Sequence, residues 1–145
     1  MGRKLVLHTT ESEATMARRK MGRMTEVGQH ARQGDVLLER VDATAVTPEH
    51  KAEPRDPHGR VVLALGEASG HAHVLRAPGV CCLRREGTGD RVLTVEDDVD
   101  LLHDMGGAAY VPTKEHSAIP VDGGGTYVVE PQRVWQGQGV RRAND

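Results

Sequence analysis

Short β-prone runs, rich in Val and Leu and separated by turn residues, recur along most of this chain. The 145 residues include 17 Gly and seven Pro to supply the turns. Strands joined by tight turns at intervals of roughly 8–12 residues are typical of all-β sandwiches and barrels. No amphipathic helical pattern competes with this one. The sequence therefore predicts a small all-β domain, a sandwich or a barrel, with β-prone runs at 36–41, 60–65, 71–76, 80–84, 91–95, 99–102, 117–121 and 126–130.

The apolar core has to be built mainly from Val and Leu. The chain has no Phe, one Trp (Trp135) and two Tyr (Tyr110 and Tyr127). Enrichment in Val favours strands over helices. A chain of 145 residues is long enough for one domain with a buried core.

Charge divides the chain into a basic leader and an acidic remainder. Residues 1–32 contain seven Lys or Arg against three Asp or Glu, and the rest contains twelve against eighteen. We expect a basic, disordered leader over 1–32, a single β-domain over 33–136 and a frayed tail over 137–145. The Pro-containing stretch 47–59 is predicted to be a loop inside the domain. The leader either contacts nucleic acid or a protein partner, or it is a solvated extension.

Composition limits the classes of partner and the compartment. A formal net charge of −2 argues against nucleic-acid binding, except through the leader. No apolar run reaches the roughly 18–20 residues that span a bilayer, so no membrane contact is expected. The only two cysteines, Cys81 and Cys82, are adjacent and make no disulfide framework. We expect a cytoplasmic protein with reduced thiols that binds a small molecule or a protein partner and could form a homo-oligomer.

Candidate functional side chains are most concentrated where two histidines stand two residues apart after a Gly-containing turn. His71 and His73 open the run at 71–76, and residues i and i+2 of a strand leave the same face of a sheet. His116, which precedes a later run, supplies a third imidazole. Three imidazoles with one open position form a catalytic zinc pattern, and imidazole also suits Ni, Cu and Fe. The sequence predicts a divalent metal site at His71, His73 and His116, with Zn as the favoured ion.

Other interpretations of these residues stay open. Strand histidines also hydrogen-bond backbone carbonyls or carboxylates, or shape a ligand pocket. His103 is a further candidate ligand but follows an acidic strand, so it ranks below His116, and Glu115 is a candidate fourth ligand. Glu67, four residues before His71, is predicted either as a catalytic general base on metal-bound water or as an acceptor that fixes a histidine tautomer.

Gln132 and Arg133 are candidate substrate-binding residues at the end of the last predicted strand. Because they alternate, they would face opposite sides. An Arg there can clamp a carboxylate or phosphate, or it can pair with a surface acid. The chain has no phosphate-binding GxxxxGK[ST] loop, GxSxG nucleophile elbow, CxxC pair or HExxH zinc motif. Whether the protein is an enzyme is therefore open.

Four segments together resemble an uncharacterised family of small bacterial and phage proteins. They are QGDVLL at 33–38, GEASGHAH at 66–73, the pair Glu115-His116 and GTYVVEPQR at 125–133. The family's pattern runs QGDVLL, GExTGHAH, HEEHxxI and GxYxVxxQREY. The resemblance implies no activity, but it singles out the acidic and imidazole side chains Glu67, His71, His73, Glu115 and His116.

The chain departs from that pattern near the third and fourth segments. Thr113 stands where the family has the first His of HEEH, and Lys114 replaces the next Glu. If that first His is a ligand in relatives, a four-histidine site is incomplete here, although His103 could compensate. Val134 and Trp135 stand where the family has Glu and Tyr. A looser likeness to cupins rests on His-x-His entering a small barrel, and it lacks the Glu that cupins carry a few residues later.

Three functions remain open from the sequence. The first is a metal-binding β-protein, with or without enzymatic activity. The second is a non-catalytic ligand-binding module of a phage, plasmid or defence system, whose histidines shape a pocket. The third is a structural subunit that packs into an oligomer.

Overall fold

The structure, a computed structural model, is built of antiparallel strands. It describes residues 24–66, 70–131, 133–135 and 140–142. The helical structure in these ranges is one 3-10 turn, Ala43–Ala45. No helix in the same ranges has the length and hydrophobicity needed to cross a membrane. The all-β prediction is confirmed. The strands described are β1 (His30–Gln33), β2 (Val36–Val41), β3 (His50–Ala52), β4 (Val61–Leu65), β5 (Ala72–Leu75), β6 (Val80–Arg85), β7 (Arg91–Val95), β8 (Val99–Asp104), β9 (Ile119–Val121), β10 (Gly125–Pro131), β11 (Arg133–Trp135) and β12 (Val140–Arg142).

Two antiparallel sheets and a separate hairpin contain these strands. The larger sheet has six strands in the order β1-β2-β10-β7-β6-β3, and the smaller has four in the order β4-β5-β8-β9. β11 pairs with β12 as a hairpin. Each sheet ends in edge strands, so the strands described form no closed barrel. Of the two predicted architectures, the barrel is therefore wrong for this part of the chain.

Apolar side chains from both sheets pack into one core. The larger sheet contributes Leu38, Leu93 and Tyr127, and the smaller contributes Leu75 and Leu101, all of them fully buried. As the composition predicts, valine supplies most of the remaining volume. The other buried members of this cluster are Met24, Val36, Val61, Leu63, Val80, Cys82, Val95, Val121 and Val129.

A buried arginine ties the two sheets together beside this core. Arg91 of β7 donates hydrogen bonds to the carbonyl oxygens of Val62 and Leu63 in β4. Its guanidinium also lies 2.9 Å from the Glu53 carboxylate, and its side chain is only 9% exposed. A charge removed from water needs such partners, because desolvation otherwise costs several kcal/mol. Arg91 therefore links the larger sheet to the smaller one.

The folded domain begins earlier than the sequence predicts. β1 starts at His30, and Met24 is fully buried in the core, so residues 24–32 of the predicted leader belong to the domain. The sequence HARQ of β1 has no apolar run to reveal it. Residues 1–23 lie outside the described residues, and a disordered leader there stays a prediction.

Two further boundaries also differ from the prediction. β3 lies within 47–59, which was expected to be a loop, because its sequence HKA carries no apolar alternation. β12 lies within 137–145, which was expected to fray, and it pairs with β11 through Val140 and Trp135. Edge and terminal strands of this kind form by pairing with a neighbouring strand, and their own sequences need not show apolar alternation.

Candidate metal centre

β5 and β8 bring two buried histidines together inside the fold. His73 of β5 and His103 of β8 are register partners, and partners on adjacent strands project from the same face. His73 is fully buried and His103 is 1% exposed. Their ring centroids lie 4.6 Å apart. This face is turned toward the larger sheet, because His73 Nδ1 lies 2.8 Å from Oε1 of Gln33 in β1.

The turn before β5 places His71 next to this pair. Gly70 has a φ of 85°, a left-handed conformation that residues with a side chain rarely adopt. The turn is closed by a 2.6 Å hydrogen bond from the Gly66 N–H to the His71 carbonyl oxygen. The half-buried His71 ring then lies 5.4 Å from the His103 ring, edge to face.

The segment between β8 and β9 supplies a carboxylate and a fourth imidazole. Glu115 Oε1 lies 3.4 Å from His71 Nδ1 and 3.7 Å from His103 Nδ1. The His116 ring centroid is 4.7 Å from that of His103 and 5.7 Å from that of His73. Four imidazoles and one carboxylate therefore converge at one end of the smaller sheet; we call these five residues the histidine cluster.

Three members of the histidine cluster place possible metal-ligand atoms close to one another. One ligand atom from each of His71, His103 and Glu115 lies within 4.8 Å of the other two. Zinc binds nitrogen and carboxylate oxygen at about 2.0–2.1 Å, so tetrahedral ligand atoms lie about 3.3 Å apart. The separation of 3.4 Å between Glu115 Oε1 and His71 Nδ1 is already close to that value. This proximity makes the three side chains candidates for holding one ion.

Two polar side chains fix the orientation of the buried rings. The Thr113 hydroxyl lies 2.6 Å from His103 Nδ1, and the Gln33 amide oxygen contacts His73 Nδ1. Histidines that bind metals commonly use one ring nitrogen for the ion and the other for such a partner. Thr113, which replaces a His of the resembled pattern, therefore contacts the cluster as a hydrogen-bonding residue.

On the other side of β8, Asp104 anchors the segment that leads to Glu115 and His116. Its fully buried carboxylate lies 2.7 Å from the Arg76 guanidinium and accepts hydrogen bonds from the backbone N–H groups of Gly106 and Val111. Burial alone would raise its pKa, but these hydrogen bonds and Arg76 hold the pKa below its ordinary value. The ionised carboxylate thus holds the start of the β8–β9 segment against the sheet.

The structure brings together the three predicted ligands His71, His73 and His116, although their binding of a metal stays a prediction. It adds His103, which the sequence ranks lower, and Glu115, which the sequence offers only as a possible fourth ligand. The sequence does not reveal the importance of His103 because its nearness to His73 depends on the register between β5 and β8. Glu67 and Gln132 lie outside the described residues. Arg133 lies in β11, and its side chain is not described.

The comparison with protein families gives one match, and it covers most of the chain. The profile of a domain of unknown function, DUF8820, matches residues 32–132. The match includes every residue of the histidine cluster and the whole path of the chain from β2 to the end of β10. Comparisons with curated proteins and with solved structures each returned no match. The chain therefore belongs to the DUF8820 family, whose function is not known.

Proposed function

We propose that this domain binds one divalent transition-metal ion through His71, His103 and Glu115. The observation that carries the proposal is the convergence of one ligand atom from each of these residues within 4.8 Å. The three residues come from separate parts of the chain. The fold thus brings together two imidazoles and a carboxylate from different parts of the chain, and these are ligand types that a transition-metal ion requires.

The chemistry of these ligands favours zinc. Imidazole selects Zn, Cu, Ni and Fe over Ca and Mg, which prefer oxygen ligands. Two histidines and a glutamate are a ligand set of catalytic zinc sites, in which the fourth position is open to water or substrate. The same set also suits Fe(II). Zinc is the ion we expect, with Ni, Cu and Fe as the alternatives.

His73 and His116 are the remaining imidazoles of the cluster, and we propose them as additional ligands. Both rings lie within 5 Å of the His103 ring, centroid to centroid. A fourth protein ligand from this pair would close the site, as in structural zinc centres, whereas a site with three ligands would stay open. A general base at Glu67 and substrate contacts by Gln132 and Arg133 stay predictions of the sequence.

Metal analysis of protein produced without a His tag tests the proposal. We expect close to one zinc ion per chain, either as purified or after reconstitution. The variants His71→Ala and Glu115→Ala should bind zinc at least about tenfold more weakly, and both change partly exposed side chains that the fold tolerates. His30→Ala, which removes an exposed histidine of β1 outside the cluster, is the matched control and should bind as the wild type does. A metal-free protein that excess Zn, Ni, Cu or Fe(II) does not reconstitute would rule the proposal out.

A second candidate function, self-association, rests on exposed apolar side chains at one end of the smaller sheet. Leu65 is 75% exposed, and Met105 and Val111 are 49% and 38% exposed. Strand register places Leu65 and Met105 near the same end, and the Met105 N–H donates to the Val111 carbonyl oxygen. Grouped exposed apolar residues favour a protein contact. Light scattering should then give a mass above that of one chain, reduced by Leu65→Glu, whereas a monomer at high concentration would contradict self-association.

A further inference from the structure

A single buried glutamine contacts three separate parts of the histidine cluster's surroundings. Gln33, at the end of β1, is 2% exposed. Its amide nitrogen donates hydrogen bonds to the carbonyl oxygens of Leu101 at 2.9 Å and Ser117 at 2.8 Å. Its amide oxygen lies 2.8 Å from His73 Nδ1. The side chain thus joins the larger sheet to β5, to β8 and to the segment before β9.

These contacts fix which way the amide points. A carbonyl oxygen only accepts hydrogen bonds, so the group facing Leu101 and Ser117 must be the NH₂ of Gln33. The amide oxygen is then the group that faces His73. Because this oxygen also only accepts, His73 Nδ1 must carry the proton.

The tautomer of His73 follows from this assignment. A neutral imidazole that is protonated at Nδ1 carries its lone pair at Nε2. Only an unprotonated nitrogen binds a metal ion. His73 can therefore offer Nε2, and not Nδ1, to an ion in the histidine cluster.

We propose that Gln33 is a positioning residue of the metal centre, which locks His73 in the Nδ1-protonated tautomer so that Nε2 is the nitrogen available to the ion. The part of this inference that concerns the ion rests on the proposed metal binding. The part that concerns the tautomer does not, since it follows from hydrogen bonding alone.

A matched pair of variants separates positioning from a purely structural role. Gln33→Met and Gln33→Glu both remove the amide donor to Leu101 and Ser117, so both should lower the stability of the metal-free protein. They differ toward His73, because Gln33→Glu keeps an oxygen acceptor for Nδ1–H and Gln33→Met has none. A glutamate in this place would act as the carboxylate partner that metal-binding histidines often have.

The first measurement is made on metal-free protein. Long-range ¹H–¹⁵N correlation spectra of histidine-labelled protein report which ring nitrogen is protonated. We expect His73 in the Nδ1–H form in the wild type and a loss of that fixed form in Gln33→Met. An Nε2–H form in the wild type would overturn the assignment, even if neither variant folds.

The second measurement is a competitive zinc titration of the same proteins. We expect Gln33→Met to bind zinc about 10–100-fold more weakly than the wild type, and Gln33→Glu to stay within about threefold of it. Equal weakening in both variants would show that Gln33 acts only through the fold and would overturn the proposal. A wild type that takes up no zinc would instead refute the metal binding, and the tautomer would still be decided by the spectra.

Discussion

At the scale of single residues, His103 is the centre of the histidine cluster. The rings of His71, His73 and His116 lie between 4.6 and 5.4 Å from its own ring, centroid to centroid. Its 1% exposure means that solvent does not compete for it. We therefore expect His103 to be a ligand whichever of the other imidazoles bind the ion.

The substitution His103→Ala should therefore abolish measurable zinc binding. His116→Ala removes a ring at the edge of the cluster and should cost about tenfold in affinity or less, since His71, His103 and Glu115 remain. Competition with a chromophoric chelator measures both, and circular dichroism checks that each variant is folded. A larger loss of affinity in a folded His116→Ala than in a folded His103→Ala would contradict the central place of His103.

The sequence identifies only part of this cluster. His71 and His73 are recognisable because strand periodicity places them on one face, which is a local property. The nearness of His103 depends on the pairing of β5 with β8, and this pairing is set by the whole sheet. The sequence singles out Gln33 only as the first residue of the predicted β-domain and of the QGDVLL segment. Its role depends on the approach of the larger sheet to β5, which no local pattern reports.

At the scale of elements, Glu53 neutralises Arg91, the buried arginine of β7 that donates hydrogen bonds to β4. Burial alone would raise the pKa of the Glu53 carboxyl, but the hydrogen bond and positive charge of Arg91 outweigh burial and hold the pKa below its ordinary value. A lowered pKa means that the folded state is stabilised above the ordinary pKa of the carboxyl. That stabilisation is lost as the pH falls through the lowered value.

Replacement of the Glu53 carboxylate should thus lower the stability of the fold at neutral pH but not in acid. We expect Glu53→Gln to lower the free energy of unfolding by roughly 1–3 kcal/mol at pH 7. The gap to the wild type should narrow as the pH falls below about 4.3, the ordinary value for Glu. Urea unfolding at pH 7, 5 and 3.5 measures this gap, with the exposed Glu39→Gln as the control. A gap that does not change with pH would contradict the role given to the charge.

At the scale of the whole molecule, the proposed ion would join parts of the fold that are distant in sequence. His71 precedes β5, His103 lies in β8 and Glu115 lies between β8 and β9. The sequence predicts the strands that contain apolar runs, β2 and β4 to β10, because such runs and turn residues are local signals, but it misses β1, β3 and β12. The order of strands in the two sheets could not be predicted in this way. Each sheet pairs strands that are not consecutive in sequence, β2 with β10 in the larger sheet and β5 with β8 in the smaller one.

An ion that binds only the folded state should raise the stability of the whole domain. Zinc at 100 times its dissociation constant would add about 2.7 kcal/mol to the free energy of unfolding. Calorimetry should show the melting temperature rising with zinc concentration in the wild type and in His30→Ala. It should show no rise in His71→Ala at the same concentrations. An equal rise in all three proteins would indicate zinc binding outside the histidine cluster.

The most direct test of the metal centre is anomalous diffraction at the zinc edge from crystals of the zinc-loaded protein. We expect one strong anomalous peak per chain. It should lie about 2.0–2.1 Å from a ring nitrogen of His71, a ring nitrogen of His103 and a carboxylate oxygen of Glu115. A loaded crystal whose only peak lies elsewhere on the surface, with these three side chains apart, would contradict the proposed metal centre.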